Sequence, residues 1–158
     1  MIEIISSSPD DTFNAGKRIS SRLKPGSVAA ISGTLGSGKT CFVNGIASGL
    51  GITENLTSPT YTIINEYQLP RANNASSGEA AAKNILYHID AYRLRDEKDF
   101  EDIGGLEIID SQGIIIIEWS EKIQKIINKN AVAVSFTITG SYTRLIKISG
   151  INLNGERR

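Results

Sequence analysis

A chain of 158 residues in which 17 Lys plus Arg balance 17 Asp plus Glu has no formal net charge, and so lacks the basic surplus of a stand-alone nucleic-acid binder. Its composition, 40% hydrophobic and 22% charged, is that of a soluble globular domain long enough to bury roughly 70% of its unfolded surface. One cysteine, Cys41, excludes an intramolecular disulfide, and no basic segment leads into a long apolar one at the N-terminus. A cytoplasmic protein with no secretory leader and no membrane contact is expected.

In chain order, "IEII" (2–5) reads as a short strand. The following "SPDDTFNAGKRISSRL" reads as a helix that Ser8 or Asp10 can cap, with Phe13, Ala15 and Ile19 on its apolar face. "KPGS" turns the chain into "VAAIS" (28–32), a short apolar run with the character of a buried central strand. A glycine loop follows, and then "KTCFVNGIASGL" with helical spacing of Phe42, Ile46 and Leu50 and a stop at Gly51. "SPTYTIINEYQL" (58–69) reads as a loop entering a strand, and "ILYHIDAYRL" (85–94) as another strand. The polar stretch between them, 70–84, is expected to be a mobile connection.

"RDEKDFEDIGGLEIIDSQ" reads as helix in pieces, "GIIIIEW" as a fully buried strand, and "EKIQKIINKN" as an amphipathic helix with Ile123, Ile126 and Ile127 inward. "AVAVSFTITGSYTRLIKISG" alternates in two runs around "TGSY", the pattern of a β-hairpin. Without internal repeats, residues 1–158 are expected to form a single α/β domain. Its architecture would be a P-loop NTPase-like three-layer sandwich around a mixed sheet with parallel strands at its centre.

The glycine loop satisfies G-x-x-x-x-G-K-[ST] in full: Gly33, then Thr34, Leu35, Gly36 and Ser37, then Gly38, Lys39 and Thr40. The glycines let the backbone wrap so that several N–H groups converge on a β-phosphate. Lys39 would reach the β- and γ-phosphates, the Thr40 hydroxyl would coordinate Mg²⁺, and the helix N-terminus adds its dipole. Cys41, just inside that helix, is either a thiol activated by the helix terminus or a small packed residue.

Such a loop needs an acidic group to hold the metal and its waters, at the carboxyl end of a neighbouring strand. Two residues qualify, Asp90 after "ILYHI" and Glu118 after four isoleucines. His88 shares a strand face with Asp90 by alternation and is either catalytic or a packed residue behind the site. Trp119 belongs to the core or the pocket wall. Arg93 and Arg95 are either an internal arginine finger or partners of Asp96 or Glu97 on the surface.

Four stretches, "SGTLGSGKTCF", "TSPTYTIINEY", "YHIDAYRL" and "IIIIEWSEKI", together resemble the bacterial TsaE (YjeE) family in order and rough spacing. Ala91 stands where that family carries a larger apolar residue, and the 70–84 connection is longer and more polar than usual. The resemblance implies a small P-loop ATPase needed for threonylcarbamoyladenosine formation on tRNAs that read codons starting with A. Its partners would be TsaB and TsaD. TsaD transfers the threonylcarbamoyl group, and tRNA would be engaged indirectly through the complex.

By the same resemblance ATP would contact the run from Gly33 to Cys41, with Thr40 and Glu118 as magnesium ligands and Lys39, Asp90 and Glu118 serving hydrolysis. Thr60, in a switch-like "SPTYT", would lie near the γ-phosphate or its water. Thr12 would lie near the base, and Arg144 matches another nucleotide contact.

Three other readings remain open. A small-molecule or nucleotide kinase would need an arginine-rich lid, and the 70–84 stretch holds one arginine, Arg71. A GTPase would use "DIGG" (102–105), which lies in an acidic helical stretch rather than after an apolar strand, and "NKNA" (128–131) lacks a guanine-reading aspartate. A nucleotide-gated binding module would use bound ATP to order an interface, with "SPTYT" and "DAYRL" feeling the γ-phosphate.

Overall fold

A computed structural model describes residues 1–70 and 84–151. Among these, seven strands form one mixed sheet: β1 (Ile2–Ser6), β2 (Val28–Gly33), β3 (Ile64–Gln68), β4 (Ile85–Asp90), β5 (Ile114–Glu118), β6 (Val132–Ile138) and β7 (Arg144–Ser149). Their spatial order is β1-β7-β6-β2-β5-β4-β3. The centre, β6-β2-β5-β4, is parallel, and antiparallel pairs β6–β7, β1–β7 and β3–β4 flank it. The expected mixed, centrally parallel sheet is what the chain forms.

Helices α1 (Pro9–Ser20) and α2 (Lys39–Gly49) cover one face. Alternation along β2 and β5 sends Ala29, Ile31, Ile114 and Ile116 to that side, into a core with Ile19, Phe42 and Ile46. Val28, Ile115 and Ile117 point the other way, against Phe100 of α3 (Glu97–Asp102), Leu94 and Ile123. With α4 (Gly105–Ile109) beside α3, the result is three layers. A strand buried on both sides has to be apolar throughout, which is why β5 is a run of isoleucines.

Ser8 caps α1, its hydroxyl accepting the Asp11 N–H at 3.1 Å; Pro9 opens the helix, and Asp10 and Asp11 sit in its first turn. Helices α1 and α2 cross at glycines. A Cβ at Gly16 would fall inside the envelope of the Phe42 carbonyl, and one at Gly45 inside that of the Phe13 carbonyl. The close crossing brings the first turn of α1 beside the start of α2.

Two expectations need correction. "EKIQKIINKN" is not one amphipathic helix: residues 120–126 make two short 3-10 turns separated by a non-helical Ile123 (φ −129°, ψ 30°). Ile123 is buried, but Ile126 and Ile127 are only partly so. The second strand ends at Asp90, and Ala91–Arg93 form a 3-10 turn in place of its expected continuation to Leu94. Residues 71–83, the body of the connection expected to be mobile, lie outside the described residues; its ends meet where the Leu69 N–H donates to the Asn84 carbonyl at 2.8 Å.

Candidate functional site

The parallel centre delivers three strand ends to one edge. Ile31 of β2 pairs with Glu118 of β5, and Asp90 of β4 pairs with the same Glu118. Period-two alternation puts His88, Asp90 and Glu118 on the α2 side, in line with Ile114 and Ile116. Beyond β2 the chain arches through Gly33–Gly38 into α2. Gly38 has φ 103° and Gly33 φ 141°, and a Cβ on Gly33 would stand 2.8 Å from that of Phe136. Only glycine fits either place.

The crest of the arch, Thr34, Leu35 and Gly36, is exposed, whereas Ser37 is buried with its hydroxyl unpartnered among the described residues. Gly38 offers no side-chain cap to α2. The first N–H groups of that helix therefore face the arch, a setting suited to an anion.

Lys39 is buried and folded back on the arch, its Nζ donating to the carbonyls of Gly33 at 2.7 Å and Thr34 at 3.0 Å. The same ammonium stands 3.8 Å from the ring centroid of Trp119. Burial pushes it below the usual lysine value, against the pull of Glu118, Glu121 and Asp90. Trp119 reaches this position through a left-handed backbone (φ 57°, ψ 38°) immediately after β5, an uncommon conformation for a bulky residue. Its ring also packs on Tyr92, at 4.9 Å between centroids.

Glu118 is buried and engaged at both carboxylate oxygens. Oε2 accepts the Thr40 hydroxyl at 3.0 Å, and Oε1 lies 2.9 Å from His88 Nε2. Asp90, also buried, accepts the Tyr92 N–H on Oδ1 at 2.9 Å; its Oδ2 accepts the hydroxyls of Ser58 at 2.8 Å and Thr60 at 2.9 Å. The segment 58–62 is thereby tied to the end of β4, with Tyr61 87% exposed and the Arg93 guanidinium 4.6 Å from its ring centroid. Ile63, at φ 66°, closes the segment before β3.

Thr12 is buried against the same arch, its Oγ1 2.7 Å from Ser6 Oγ; a Cβ on Gly38 would lie 3.4 Å from its methyl. Arg144 reaches the crest from β7, donating to the Gly36 carbonyl at 3.4 Å. Thus Thr12, Arg144 and Lys39 each meet the arch, Thr40 meets Glu118 where the arch enters α2, and Asp90 with Thr60 lies at the neighbouring strand end. Arg95 lies outside this group and pairs with Asp99 at 2.7 Å, not with Asp96 or Glu97. That guanidinium holds the Asp99 carboxyl down at about 2.

Cys41 points away from the arch, its thiol donating to the Pro9 carbonyl at 3.3 Å. Burial and the nearby Asp10 raise its pKa, the opposite direction to that of an activated thiol. With a Cys41 pKa above that of a free thiol, the folded chain is expected to react with iodoacetamide at pH 8 more slowly than free cysteine. The unfolded chain should regain the ordinary rate, and equal rates in both states would contradict this placement.

Three partners escaped the sequence reading: Ser58 on Asp90, Trp119 on Lys39 and His88 on Glu118. Each is a contact between segments far apart in the chain, and the only signal for them was proximity to a recognised motif. A hollow of about 450 Å³ lies on the opposite face of the sheet, lined among others by Ala30, Ser32, Ala133 and Ser135, and is separate from the arch.

A centrally parallel sheet whose central strand runs through a G-x-x-x-x-G-K-T arch into a helix, with carboxylates at the adjacent strand ends, is a P-loop NTPase-like fold. The family model described as "Threonylcarbamoyl adenosine biosynthesis protein TsaE" matches residues 6–146, and the chain belongs to that family. A TsaE from Treponema pallidum is 36% identical over 145 residues, covering 92% of this chain and 98% of that protein. One from Bacillus subtilis is 35% identical over 146 residues, covering 90% and 82%. The crystal structure of YdiB from Bacillus subtilis superposes with a TM-score of 0.68 at 27% identity, covering 97% of this chain and 87% of that one. TsaE proteins take part in tRNA threonylcarbamoyladenosine biosynthesis. Among the described residues no helix is long and apolar enough to cross a membrane.

Proposed function

We propose that this chain binds ATP with Mg²⁺ at the Gly33–Thr40 arch and hydrolyses it in support of threonylcarbamoyl modification of tRNA, as a cytoplasmic partner of TsaB and TsaD. The observation that carries the reading is the meeting of the Thr40 hydroxyl with the Glu118 carboxylate at 3.0 Å, beside Lys39. A hydroxyl and one carboxylate are hard oxygen donors. Mg²⁺ is commonly held by one or two such groups plus phosphates and water. No group of three or more His, Cys, Asp or Glu able to hold a metal occurs among the described residues, which fits a metal that arrives with its nucleotide. When bound, the ion would supply charge neutralisation between the β- and γ-phosphates.

The residues of the chain do the rest. Lys39 exchanges the carbonyls of Gly33 and Thr34 for phosphate oxygens, and the arch N–H groups and the α2 terminus hold the β-phosphate. Thr40 and Glu118 would hold the ion through their side-chain oxygens. Asp90, released from the hydroxyls of Ser58 or Thr60, orients the attacking water, and Thr60 lies within the same cluster. Thr12 and Arg144 close the nucleotide's flanks. Lys39 and Asp90 are held beside the arch by partners that nucleotide binding has only to replace, which shortens the rearrangement that such sites must make before reaction.

The test is ATP turnover by the purified chain, alone and with TsaB, TsaD and tRNA, and with Glu118→Ala as a control. Stimulation by the assembly, abolished in the variant, supports the reading; turnover that ignores the partners but follows a small phosphate acceptor sinks it. Trp119 is the only tryptophan, so ATP binding is expected to shift its fluorescence as Lys39 leaves the ring; an unchanged spectrum at saturating ATP would contradict that motion.

One observation favours a second reading, a nucleotide-gated binding module: Ser58 and Thr60, on either side of Pro59 and next to the exposed Tyr61, both donate to Asp90, so the segment is linked directly to a strand-end carboxylate of the site. It would be distinguished by partner affinity that responds to a non-hydrolysable ATP analogue as strongly as to ATP.

A further inference from the structure

His88, the single histidine of the chain, is fully buried within β4. It pairs across to Ile116, two residues before Glu118, and so lies on the face that carries the strand-end carboxylates. Nε2 is 2.9 Å from Glu118 Oε1, while Nδ1 is buried and has no partner among the described residues. Together these contacts decide which nitrogen carries the proton. A bare Nε2 would set two acceptors against each other, and a proton on Nδ1 would be a buried donor with nothing to receive it. The proton therefore sits on Nε2 and is donated to Oε1.

The other oxygen of Glu118 receives the Thr40 hydroxyl. The carboxylate is gripped from the sheet interior on one side and met by the phosphate-loop threonine on the other. We infer that His88 is the positioning residue of this carboxylate: its Nε2–H occupies Oε1, sets the plane of the group, and leaves Oε2 turned to Thr40 and to a metal ion bound there. The inference rests on the Mg–nucleotide reading above. His88 touches neither nucleotide nor metal; it acts through Glu118. Partners of this kind, which orient a ligating group from behind, change metal affinity by about 10–100-fold when removed.

Two measurements test it. In the metal-free full chain labelled with ¹⁵N-histidine, one imidazole is present, and its long-range proton–nitrogen spectrum is expected to place the proton on Nε2; a proton on Nδ1 would overturn the assignment. The second compares His88→Gln with His88→Asn. The glutamine amide nitrogen falls near the place of Nε2 and reaches Glu118, whereas the asparagine amide stops near Nδ1. The two variants are both polar amides but differ by one methylene at a fully buried site, so thermal denaturation of each is used to read the packing loss separately from the contact.

The readout is the Mg²⁺ concentration that half-saturates the gain in affinity for a non-hydrolysable ATP analogue, measured by calorimetry, with Mn²⁺ binding followed by EPR as a cross-check. His88→Asn is expected to raise it about 10–100-fold and His88→Gln to stay near the unsubstituted chain. Equal shifts in both variants, or none in either, overturn the inference while leaving the nucleotide reading in place. An unsubstituted chain whose affinity for the analogue does not depend on Mg²⁺ overturns both.

Discussion

Replacing Lys39 by alanine is expected to lower ATP turnover by about 10²–10³-fold, the effect of deleting one preorganised charged donor at a site of developing negative charge. The argument is geometric. Lys39 is buried between two carbonyls of the arch and the Trp119 ring, so its ammonium is already desolvated and has only to exchange acceptors. Burial depresses its pKa, yet Glu118, Glu121 and Asp90 oppose that shift and help to keep the proton that phosphate contact needs. Steady-state turnover with Mg-ATP reads the loss, and circular dichroism separates it from unfolding. Lys39→Met keeps an apolar stem of similar length while deleting the charge that stands over Trp119, and should be equally inactive. A methionine variant with substantial turnover would show that the stem, and not the ammonium, was at work.

Gly45→Ala is expected to destabilise the fold by about 1–3 kcal/mol, the range for overpacking a close contact. The new methyl would meet the carbonyl of Phe13, a backbone atom that cannot swing aside. Helices α1 and α2 must then separate. For a chain of this length the melting temperature should fall by about 2–4 °C for each kcal/mol lost. Gly16→Ala strains the same crossing from the other helix. The double variant should lose less than the sum, because helices already parted accept a second methyl more easily.

A functional loss should accompany the structural one. Thr12 lies one turn before Gly16 on α1, so a displaced α1 carries it away from Gly38 and loosens the flank of the phosphate arch. An unchanged melting temperature in Gly45→Ala would mean the helices have room that their glycines do not suggest.

Much of this molecule was readable before any coordinates. The arch was legible because its chemistry is contiguous: eight consecutive residues supply the turn, the ammonium and the hydroxyl. Glu118 stood out because a strand buried on both faces permits no carboxylate until it ends. What stayed hidden were relations that depend on register. Nothing in "ILYHID" says that His88 will stand two rungs below Glu118 instead of one, and a slip of a single residue would turn it to the opposite face.

Local geometry misled in two other places. Ile123, Ile126 and Ile127 have helical spacing, but the left-handed Trp119 re-aims the chain and Ile123 leaves helical dihedrals, so only short turns survive. Arg95 has acidic neighbours at 96 and 97, yet its partner is Asp99, because Arg95 lies just ahead of α3, where the Asp99 carboxylate reaches back to accept its backbone N–H at 2.9 Å as well as its guanidinium.

The edge position of β1 has a consequence for how the chain is made. Among the described residues, 2–6 pair with 144–148 alone, so β1 leaves the ribosome well over a hundred residues ahead of the strand it needs before it can enter the sheet. Contacts of such long sequence separation form slowly and late. In the interval Ile2 and Ile4, which end up packed against the core, and Ile5, which stays 75% exposed even afterwards, present an apolar segment with an unpaired backbone, the kind of segment that nascent chains have shielded by chaperones. Helix α1 can dock on α2 early through Gly16, before β1 ties it to the edge of the sheet. Because Thr12 is bonded to Ser6 at the end of β1, the wall it gives the arch gains its tie to the sheet only once β7 has been made.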